Sequence, residues 1–324
     1  MRRNNLQRNL YLRNQNNNNS YENEPICINL EDKCKFISSR GILKSCNIKS
    51  LTPISSITKL VNYNFNDFSK INENEIIYIC STAICEFINR LNEIKNKFIL
   101  ITGDSDFTLT DNDFLCIIEN DKLIHWFSQN YIGNHSKISQ IPIGLDYHTL
   151  AKSNHEWGEM IGAEEQEKKL IEIKERSLPF WERKKIGYSN FHFHLTGKYC
   201  NDRKDAIDNI SSDLIFYEPN KIKRNDSWKN QSEYAFVISP HGNGLDCHRT
   251  WEALCLGCIV IVRKSNLDSL YDNLPVLIVN EWKDVCNKLL NKTIEEFKDK
   301  EKNGKFNYEK LTLKYWIDKI KEKI

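Results

Sequence analysis

One segment of the sequence carries side chains and glycines that could bind a phosphate. Residues 239–262 read SPHGNGLDCHRTWEALCLGCIVIV, and an apolar run at 235–238 precedes them. The pattern predicts a strand, a turn containing Gly242 and Gly244, a helix that begins near Asp246, and a second strand. In such a unit the backbone amides of the turn and the N-terminus of the helix are free to meet a phosphate group.

The predicted helix carries charged residues on one side of its first turns. His248, Arg249 and Glu252 lie close together at helical spacing, while Trp251 and Leu254 supply an apolar side. An arginine beside a carboxylate suits a nucleotide, with Arg249 on the diphosphate and Glu252 on the ribose hydroxyls. The alternative is a solvated helix face without a ligand. A solvated helix would not need two glycines in front of it, so the pattern favours a binding site.

Together with the residues that follow it, the segment resembles the donor-binding part of exostosin-like glycosyltransferases. Members of that family have a strand, a G-x-G-x-D turn, an H-R-x-W-E-A-L helix and a strand that leads to a loop of small residues. The similarity continues through 267–271 (LDSLY) and 274–276 (LPV), whereas the N-terminal half agrees only loosely. The resemblance implies a two-domain transferase of the GT-B type that uses a nucleotide-diphosphate sugar, and we expect a UDP-sugar before a GDP-sugar. Because Arg249, Arg203 and the amides of residues 242–244 would neutralise the departing diphosphate, we expect no metal or other cofactor.

The resemblance also implies which residues contact the donor. In exostosin-like sequences a basic residue near the first turn of the nucleotide-binding domain contacts the donor phosphates, and Lys198 and Arg203 lie at that place. Arg203 is preferred, because an arginine at a helix start can form a bidentate pair with phosphate. The donor-binding candidates are Lys198, Arg203, His241, Gly242, Asn243, Gly244, His248, Arg249 and Glu252. A non-catalytic nucleotide- or sugar-binding protein with the same fold is the alternative.

A pair of aspartates follows a predicted strand in the N-terminal half. The apolar run at 98–102 leads into Gly103-Asp104-Ser105-Asp106, and open α/β sheets bind ligands at the carboxyl ends of their strands. We expect Asp104 or Asp106 to face the cleft between the domains and to act as general base on an acceptor hydroxyl. Two alternatives remain: an Asp-x-Asp site for Mn²⁺ or Mg²⁺, as in metal-dependent glycosyltransferases, and a carboxylate that only caps its turn.

A run of aromatic and amide residues at 125–130 is the candidate for binding the acceptor. Trp126 could stack on the face of a sugar, while Gln129 and Asn130 could reach its hydroxyls. The alternative is an aromatic pair that belongs to the core. His148 and His155 have no metal-ligating partner at a recognisable spacing, and we interpret both as structural.

The elements that would hold these candidates alternate between strand and helix. In the N-terminal half the predicted strands are 76–80, 98–102, 115–118, 124–127 and 141–146, with a helix at 83–92. In the C-terminal half the predicted strands are 186–193, 214–217, 235–238, 258–262 and 277–279, with helices between them. The pattern predicts an α/β fold with parallel sheets. The resemblance implies that two Rossmann-like domains face a cleft, in a GT-B-like arrangement.

The chain is long enough, at 324 residues, for two domains with separate cores. A tail rich in asparagine lacks the apolar residues needed to fold, and a charged helical pattern at 154–176 suits the domain junction. The predicted divisions are a disordered tail at 1–24, an acceptor-side α/β domain at 25–178, a nucleotide-sugar-binding domain at 179–304 and a helix at 305–324 that packs back on the first domain.

Composition argues against several classes of protein. A net charge of +2 gives no bulk attraction to nucleic acid. The eleven cysteines have no regular spacing, which is typical of reduced thiols in a cytosolic protein. The sequence has no apolar run of membrane-spanning length and no signal-peptide pattern. We therefore expect a cytoplasmic location (the host cytoplasm if the source is a virus), unlike the anchored animal exostosins, with a nucleotide sugar and a glycan or glycoprotein acceptor as partners.

Overall fold

The computed structural model describes residues 30–65, 67–193 and 196–324, so the predicted tail at 1–24 lies outside the described residues. Within these ranges the chain forms a mixed α/β structure with two parallel sheets, one of four strands and one of five. The α/β class predicted from the alternating pattern is therefore confirmed. None of the helices in these ranges combines the length and the apolar character that crossing a bilayer requires.

The first sheet comes from the N-terminal half and has its strands in chain order. Its parallel strands are β1 (Glu75–Cys80), β2 (Phe98–Gly103), β3 (Leu123–Ser128) and β4 (Ile138–Gln140). The helices of this half are α1 (Ser39–Ser45), α2 (Ile84–Arg90), α3 (Leu115–Ile118), α4 (His148–Lys152) and α5 (Ala163–Arg176). β1 and β2 are buried almost throughout, as parallel strands covered on both faces must be, and this explains their unbroken apolar runs.

The second sheet follows in the C-terminal half with the order β6-β5-β7-β8-β9. Its parallel strands are β5 (Lys184–Ser189), β6 (Ile215–Tyr217), β7 (Tyr234–Ile238), β8 (Ile259–Arg263) and β9 (Val276–Val279). The helices of this half are α6 (Asp202–Asn209), α7 (Arg224–Gln231), α8 (His248–Cys255), α9 (Asn287–Lys302) and α10 (Leu313–Lys321). The order is that of a doubly wound sheet in which the direction of winding reverses between β5 and β7.

One predicted strand of the N-terminal half is a helix instead. Residues 115–118 form the single turn α3, and Phe114 precedes it with a left-handed φ of 55°. Ile117 and Ile118 are buried, whereas Leu115 is 48% exposed. An apolar run this short does not distinguish the alternation of a strand from the spacing of a helix, and the prediction of a strand is wrong here.

Several element boundaries also differ from the predicted ones. Helix α5 begins only at Ala163, although the helical pattern begins at residue 154. Helix α9, which the sequence pattern predicts at 281–290, begins at Asn287 and extends to Lys302. The strand predicted at 141–146 is replaced by β4, which ends before Pro142 and forms an edge of its sheet. Proline has no N–H group for the ladder of hydrogen bonds, so the strand ends ahead of it.

A single hydrophobic cluster contains residues of both sheets. Ile99 and Ile101 of β2 belong to it, together with Val237 of β7, Val260 of β8 and Trp251 of α8. The two halves therefore share one buried apolar region instead of meeting only through polar surfaces. The domain boundary predicted at residue 178 stays a prediction.

The last helix, α10, lies against the beginning of the described chain. The amide of Leu313 donates to the carbonyl oxygen of Lys35 at 2.9 Å, and the amide of Ile37 donates to that of Leu311 at 2.9 Å. Trp316 of α10 belongs to the hydrophobic cluster that both sheets share. The end of the chain thus helps to hold the segment before α1 in place.

Gly144, in the loop after β4, makes a close backbone contact with the segment before α1. Its φ is +67°, in the left-handed region, and a Cβ there would lie 2.2 Å from the carbonyl oxygen of Ile37. The amide of Leu145 donates to that same oxygen at 2.8 Å. Among the amino acids, only glycine suits both the conformation and the space.

Gly144→Ala should lower the free energy of unfolding by about 3 kcal/mol or more, because a steric clash adds to the cost of a left-handed backbone. Gly304→Ala is the matched control, since Gly304 has a φ of +61° but no atom within 4 Å of an added Cβ. The control should lose only about 1–2 kcal/mol. Urea unfolding measures both, and equal losses would contradict the close contact at Gly144.

Candidate functional site

The loops that follow β5 and β7 meet at the carboxyl edge of the second sheet. The Oδ1 atom of Asn243 accepts the amide hydrogens of Thr196 and Gly197 at 3.2 and 2.9 Å. A Cβ on Gly197 would lie 2.8 Å from the Cα of Asn243, so the two loops touch. β5 and β7 are neighbours where the winding of the sheet reverses, and open α/β sheets bind ligands in the crevice at that point. We call the space between these loops the crevice.

Arg203, in the first turn of α6, lies beside the crevice. Its Nη1 donates to the carbonyl oxygen of His192 at 2.6 Å, and its Nε donates to that of His241 at 3.3 Å. A Cβ on Gly242 would lie 3.1 Å from its Nη2. The guanidinium group therefore lies next to the glycine turn.

Arg249 of α8 contacts the same aromatic ring as Arg203. The guanidinium carbons of Arg249 and Arg203 are 5.1 and 5.9 Å from the ring centroid of Phe191. The Nη2 of Arg249 donates to the carbonyl oxygen of Pro240 at 2.7 Å, and its buried Nε has no hydrogen-bond partner in the described part of the chain. Burial lowers the pKa of Arg249 to about 10, which leaves the guanidinium charged at neutral pH.

These two guanidinium groups give the crevice a positive charge that no direct ion pair neutralises among the described residues, although Glu252 and Asp202 act on Arg249 from farther away. Across residues 30–65, 67–193 and 196–324, neither Arg203 nor Arg249 has a carboxylate oxygen within 4.0 Å. Both cations also act on Tyr217, where they oppose the rise in phenol pKa that burial causes. Two cations that share one ring and donate only to carbonyl oxygens can bind a phosphate or a diphosphate.

The glycine turn itself differs from the predicted phosphate site. The amide of Gly242 donates to the carbonyl oxygen of Gly244 at 3.0 Å, so this amide is not free to meet a phosphate. Gly244 packs against the N-terminal half, where an added Cβ would lie 3.0 Å from Asn130 Nδ2 and 3.2 Å from Asp106 Oδ1. Close contact between the two halves, and not an anion, explains the glycine at position 244.

Two further residues predicted to bind the nucleotide sugar lie beside the crevice, one hydrogen-bonded within the protein and the other exposed to solvent. The amide of His241 donates to Asp202 Oδ2 at 2.8 Å, and its Nδ1 lies 3.0 Å from the carbonyl oxygen of Leu245. Lys198 is exposed, with its Nζ 5.4 Å from the ring centroid of Tyr199. His241 therefore fixes the shape of the turn, whereas Lys198 is a solvent-facing cation in the adjoining loop.

His248 and Glu252 of α8 bond to other parts of the structure. The Nδ1 of His248 lies 2.7 Å from the carbonyl oxygen of Gly144 in the N-terminal half. Since a carbonyl oxygen only accepts, this nitrogen carries the hydrogen. The Oε2 of Glu252 accepts the indole hydrogen of Trp228 at 3.0 Å in a buried contact between α7 and α8. One oxygen of Glu252 is thus bonded within the protein, and the predicted ribose contact stays a prediction.

The three residues predicted to bind an acceptor are buried at the end of β3. Trp126 is fully buried and donates its indole hydrogen to a hydroxyl of β2 at 3.0 Å. The Oε1 of Gln129 accepts the amide hydrogen of Asp104 at 2.9 Å. The Oδ1 of Asn130 accepts the amide hydrogen of Asp246 at 2.9 Å. A buried indole offers no face to a sugar, so its position contradicts the predicted stacking, and the two amide side chains hold backbone groups instead of acceptor hydroxyls.

The two aspartates predicted as catalytic have different surroundings. The side chain of Asp104 is 3% exposed; it accepts from Ser39 Oγ at 2.7 Å and lies 3.2 Å from Arg40 Nη1. These contacts occupy the carboxylate within the protein, which argues against a role as base or as metal ligand. Asp106 is exposed and lies beside Gly244. The described ranges contain no group of three or more His, Cys, Asp or Glu side chains that could hold a metal ion.

Asp246 has contacts that the sequence analysis missed. Its Oδ2 accepts the amide hydrogen of Ile143 at 2.7 Å, and its Oδ1 accepts those of Cys247 at 2.9 Å and of the Trp251 indole at 2.8 Å. Its own amide donates to Asn130. Burial raises the pKa of Asp246 to about 6, although the N–H donors oppose the rise. An aspartate ahead of a helix is a common cap, so the sequence carries no signal for contacts this distant in the chain.

A second missed group of residues surrounds Asp146. The Nη2 of Arg224 donates to Asp146 Oδ2 at 2.7 Å, and the Nδ1 of His148 lies 3.1 Å from Asp146 Oδ1. The ring centroids of His148 and His248 are 5.9 Å apart. Burial alone would raise the pKa of Asp146, but His148, Arg224 and His248 hold it well below its ordinary value. A lone D-x-H spacing is too common to have indicated this group.

Asp246→Asn should lower the free energy of unfolding by about 1–3 kcal/mol, because an amide cannot accept from the Ile143 amide and the Trp251 indole together. The pKa of Asp246 is raised from 3.8 to about 6 on folding. Its stabilising effect is therefore complete below the unfolded pKa and is lost as the pH rises through the folded one. In urea unfolding, the advantage of the wild type over the variant should be larger near pH 5 than near pH 7.5, by about 1 kcal/mol or more. An advantage that does not change with pH would contradict the raised pKa.

Comparison with known proteins leaves this site without an independent assignment. No family model matches the chain. No curated protein matches it either. The function is therefore inferred from the residues of the crevice, from the two arginines there that have no ion-pair partner among the described residues, and from the contacts between the two halves.

Proposed function

We propose that the chain is a glycosyltransferase of the GT-B type that transfers a sugar from a nucleotide-diphosphate donor to an acceptor hydroxyl. One observation carries the proposal: where the winding of the second sheet reverses, Arg203 and Arg249 converge on Phe191 without a carboxylate partner among the described residues. A diphosphate offers several oxygens to two guanidinium groups that otherwise donate to carbonyls. The similarity of residues 239–262 to exostosin-like sequences supports a nucleotide sugar as the ligand.

In the proposed reaction the acceptor oxygen attacks the anomeric carbon of the sugar, and the bond from that carbon to the diphosphate breaks. Negative charge grows on the departing diphosphate. Arg203 and Arg249 stabilise this charge more strongly in the transition state than in the bound donor, and that difference accelerates the reaction. Lys198, in the adjoining loop, is a further cation that can approach a bound diphosphate. A single displacement of this kind inverts the anomeric configuration.

The N-terminal half would bind the acceptor, because the carboxyl edge of its sheet lies against the glycine turn that follows β7. Asp106 and Asn130 follow β2 and β3, and both lie against Gly244. An acceptor held beside this contact would be close to a donor in the crevice. In this proposal residues 25–178 and 179–304 form the two domains, and residues 305–324 close onto the first of them.

Two alternatives differ from the proposal in ways that can be measured. A metal-dependent transferase would use Asp104 and Asp106 as ligands, but Asp104 is bonded to Ser39 and lies 3.2 Å from the guanidinium of Arg40. A guanidinium at that distance repels a metal ion. A non-catalytic protein would bind the donor without turning it over.

A panel of nucleotides tests the proposed function. We expect UDP or GDP to raise the melting temperature, and at least one of the corresponding sugar nucleotides to be hydrolysed slowly when water is the acceptor. Binding without any turnover would favour a non-catalytic protein. Absence of binding across UDP, GDP and their sugars would refute the proposal.

Arg249→Ala and Arg203→Ala should each raise the dissociation constant for UDP by about tenfold or more and also lower donor turnover, because each removes a charge-assisted contact of about 1.5–3 kcal/mol. Arg183→Ala is the matched control: Arg183 is also buried and donates to the carbonyl oxygens of Leu178 and Leu256, but it precedes β5 and so lies at the opposite edge of the sheet. The control should lose stability and keep its affinity for UDP. Isothermal titration calorimetry measures the affinity of all three variants for UDP. If Arg183→Ala weakens UDP binding as much as the other two, the loss of affinity comes from impaired folding and not from a lost contact with the diphosphate.

Turnover of the donor should survive chelation by EDTA, because the proposed partners of the diphosphate are the side chains of Arg203 and Arg249. The measurement is donor hydrolysis after dialysis against EDTA, with and without added Mn²⁺. Complete loss of hydrolysis that Mn²⁺ restores would instead favour Asp104 and Asp106 as ligands of a metal-bound donor.

A further inference from the structure

The proposed reaction needs a group that accepts the proton of the acceptor hydroxyl. Asp104, the first candidate from the sequence, is enclosed by Ser39 and Arg40. A different titratable group lies where the two halves meet, at the first residue of α4. His148 is there, a residue for which the sequence pattern alone indicates a structural role.

His148 combines partial exposure with a position beside α8. Its side chain is 27% exposed. Its ring centroid is 5.9 Å from that of His248, which is the first residue of α8 and directly precedes Arg249. His148 therefore lies in the N-terminal half next to the helix that carries one of the two crevice arginines.

Asp146 determines which nitrogen of His148 can accept a proton. The Nδ1 of His148 lies 3.1 Å from Asp146 Oδ1. A carboxylate oxygen presents only lone pairs, so Nδ1 carries the hydrogen and Nε2 keeps its lone pair. Asp146 is itself held in place, because Arg224 donates to its Oδ2 at 2.7 Å and the amide of Thr149 donates to its Oδ1 at 3.0 Å.

We propose that Nε2 of His148 accepts the proton of the acceptor hydroxyl, and that Asp146 is the residue that positions the imidazole. The assignment rests on the proposed function and specifies how the acceptor is activated. As the acceptor O–H bond breaks, a bond forms from that oxygen to the anomeric carbon. The bond from this carbon to the diphosphate breaks and leaves its electron pair on the diphosphate. The imidazolium then releases its proton to water, so atoms and charges balance.

The charges around His148 suit this role at neutral pH. The titratable and charged groups that act on it are Asp146, Arg40, Asp104 and His248, with Arg224 on the far side of Asp146. Burial lowers the pKa of His148 below its ordinary value, and the neighbouring cations reinforce this effect while the two carboxylates oppose it. The imidazole is therefore neutral at pH 7, as a base must be before it takes a proton.

His148→Gln should lower donor hydrolysis by about 10²–10⁴-fold, the usual contribution of a general base. The probes are UDP-glucose, UDP-galactose, UDP-N-acetylglucosamine, UDP-xylose and GDP-mannose, with water as the acceptor, and the affinity for UDP and GDP is measured beside turnover. Nucleotide affinity should stay within about twofold, because His148 does not contact the diphosphate. Because the pKa of His148 is lowered, wild-type turnover should be constant at pH values above the ordinary histidine value of about 6.5 and should fall only at pH values below it, and the variant should lose this dependence. His155→Gln is the matched control, an exposed histidine whose ring meets that of Trp157 edge to face.

Asp146→Asn gives a second measurement, in which turnover should fall and the pH dependence should shift while nucleotide affinity is kept. If His148→Gln hydrolyses the donor at the parent rate with the parent pH profile, the assignment of His148 is wrong and the proposed function stands. The same conclusion follows if Asp106→Asn abolishes turnover and His148→Gln does not. If the parent protein neither binds UDP or GDP nor hydrolyses any of the five donors, the proposed function is wrong and the assignment of His148 is refuted with it.

Discussion

The structure depends on one buried junction, in which Asp246 holds the first turn of α8 against the N-terminal half. Its amide donates to Asn130, and its carboxylate accepts the amide hydrogen of Ile143. The same carboxylate accepts the indole hydrogen of Trp251 from its own helix. Burial of this carboxylate raises its pKa to about 6. The charged junction thus has an electrostatic cost, which the apolar packing around Trp251 must offset.

Because the junction fixes α8, two adjacent residues of that helix serve different halves of the proposed site. Arg249 donates to the carbonyl oxygen of Pro240 beside the crevice. His248 contacts the carbonyl oxygen of Gly144 and lies near the ring of His148. Consecutive residues of one helix therefore contact the proposed diphosphate site and the surroundings of the proposed base.

The sequence was sufficient to predict the sheets but not the contacts between them. The unbroken apolar run of β2 identifies a buried parallel strand, because a strand covered on both faces needs no alternation. The strand order also explains why Arg203 and Arg249, distant in sequence, lie at one crevice. Trp126 and Asp104 have the right side chains for a binding site, and their burial depends on elements far away in the chain. That information is absent from any local pattern of residue types.

In this protein the residue type of a charged group does not show whether its role is structural or functional. The groups that it contacts are the better guide. Asp104 faces Arg40, and Asp146 faces Arg224, so these pairs offset much of each other's field. Arg203 and Arg249 donate only to carbonyl oxygens within the described ranges, and Glu252 and Asp202 act on Arg249 only from beyond ion-pair distance, so both guanidinium groups can still pair with an anion. The same reasoning applies to His148: Asp146 fixes its Nδ1 and leaves Nε2 able to exchange a proton. The proposed displacement would use these guanidinium groups for the departing diphosphate and this imidazole for the proton of the acceptor, with the junction at Asp246 between them.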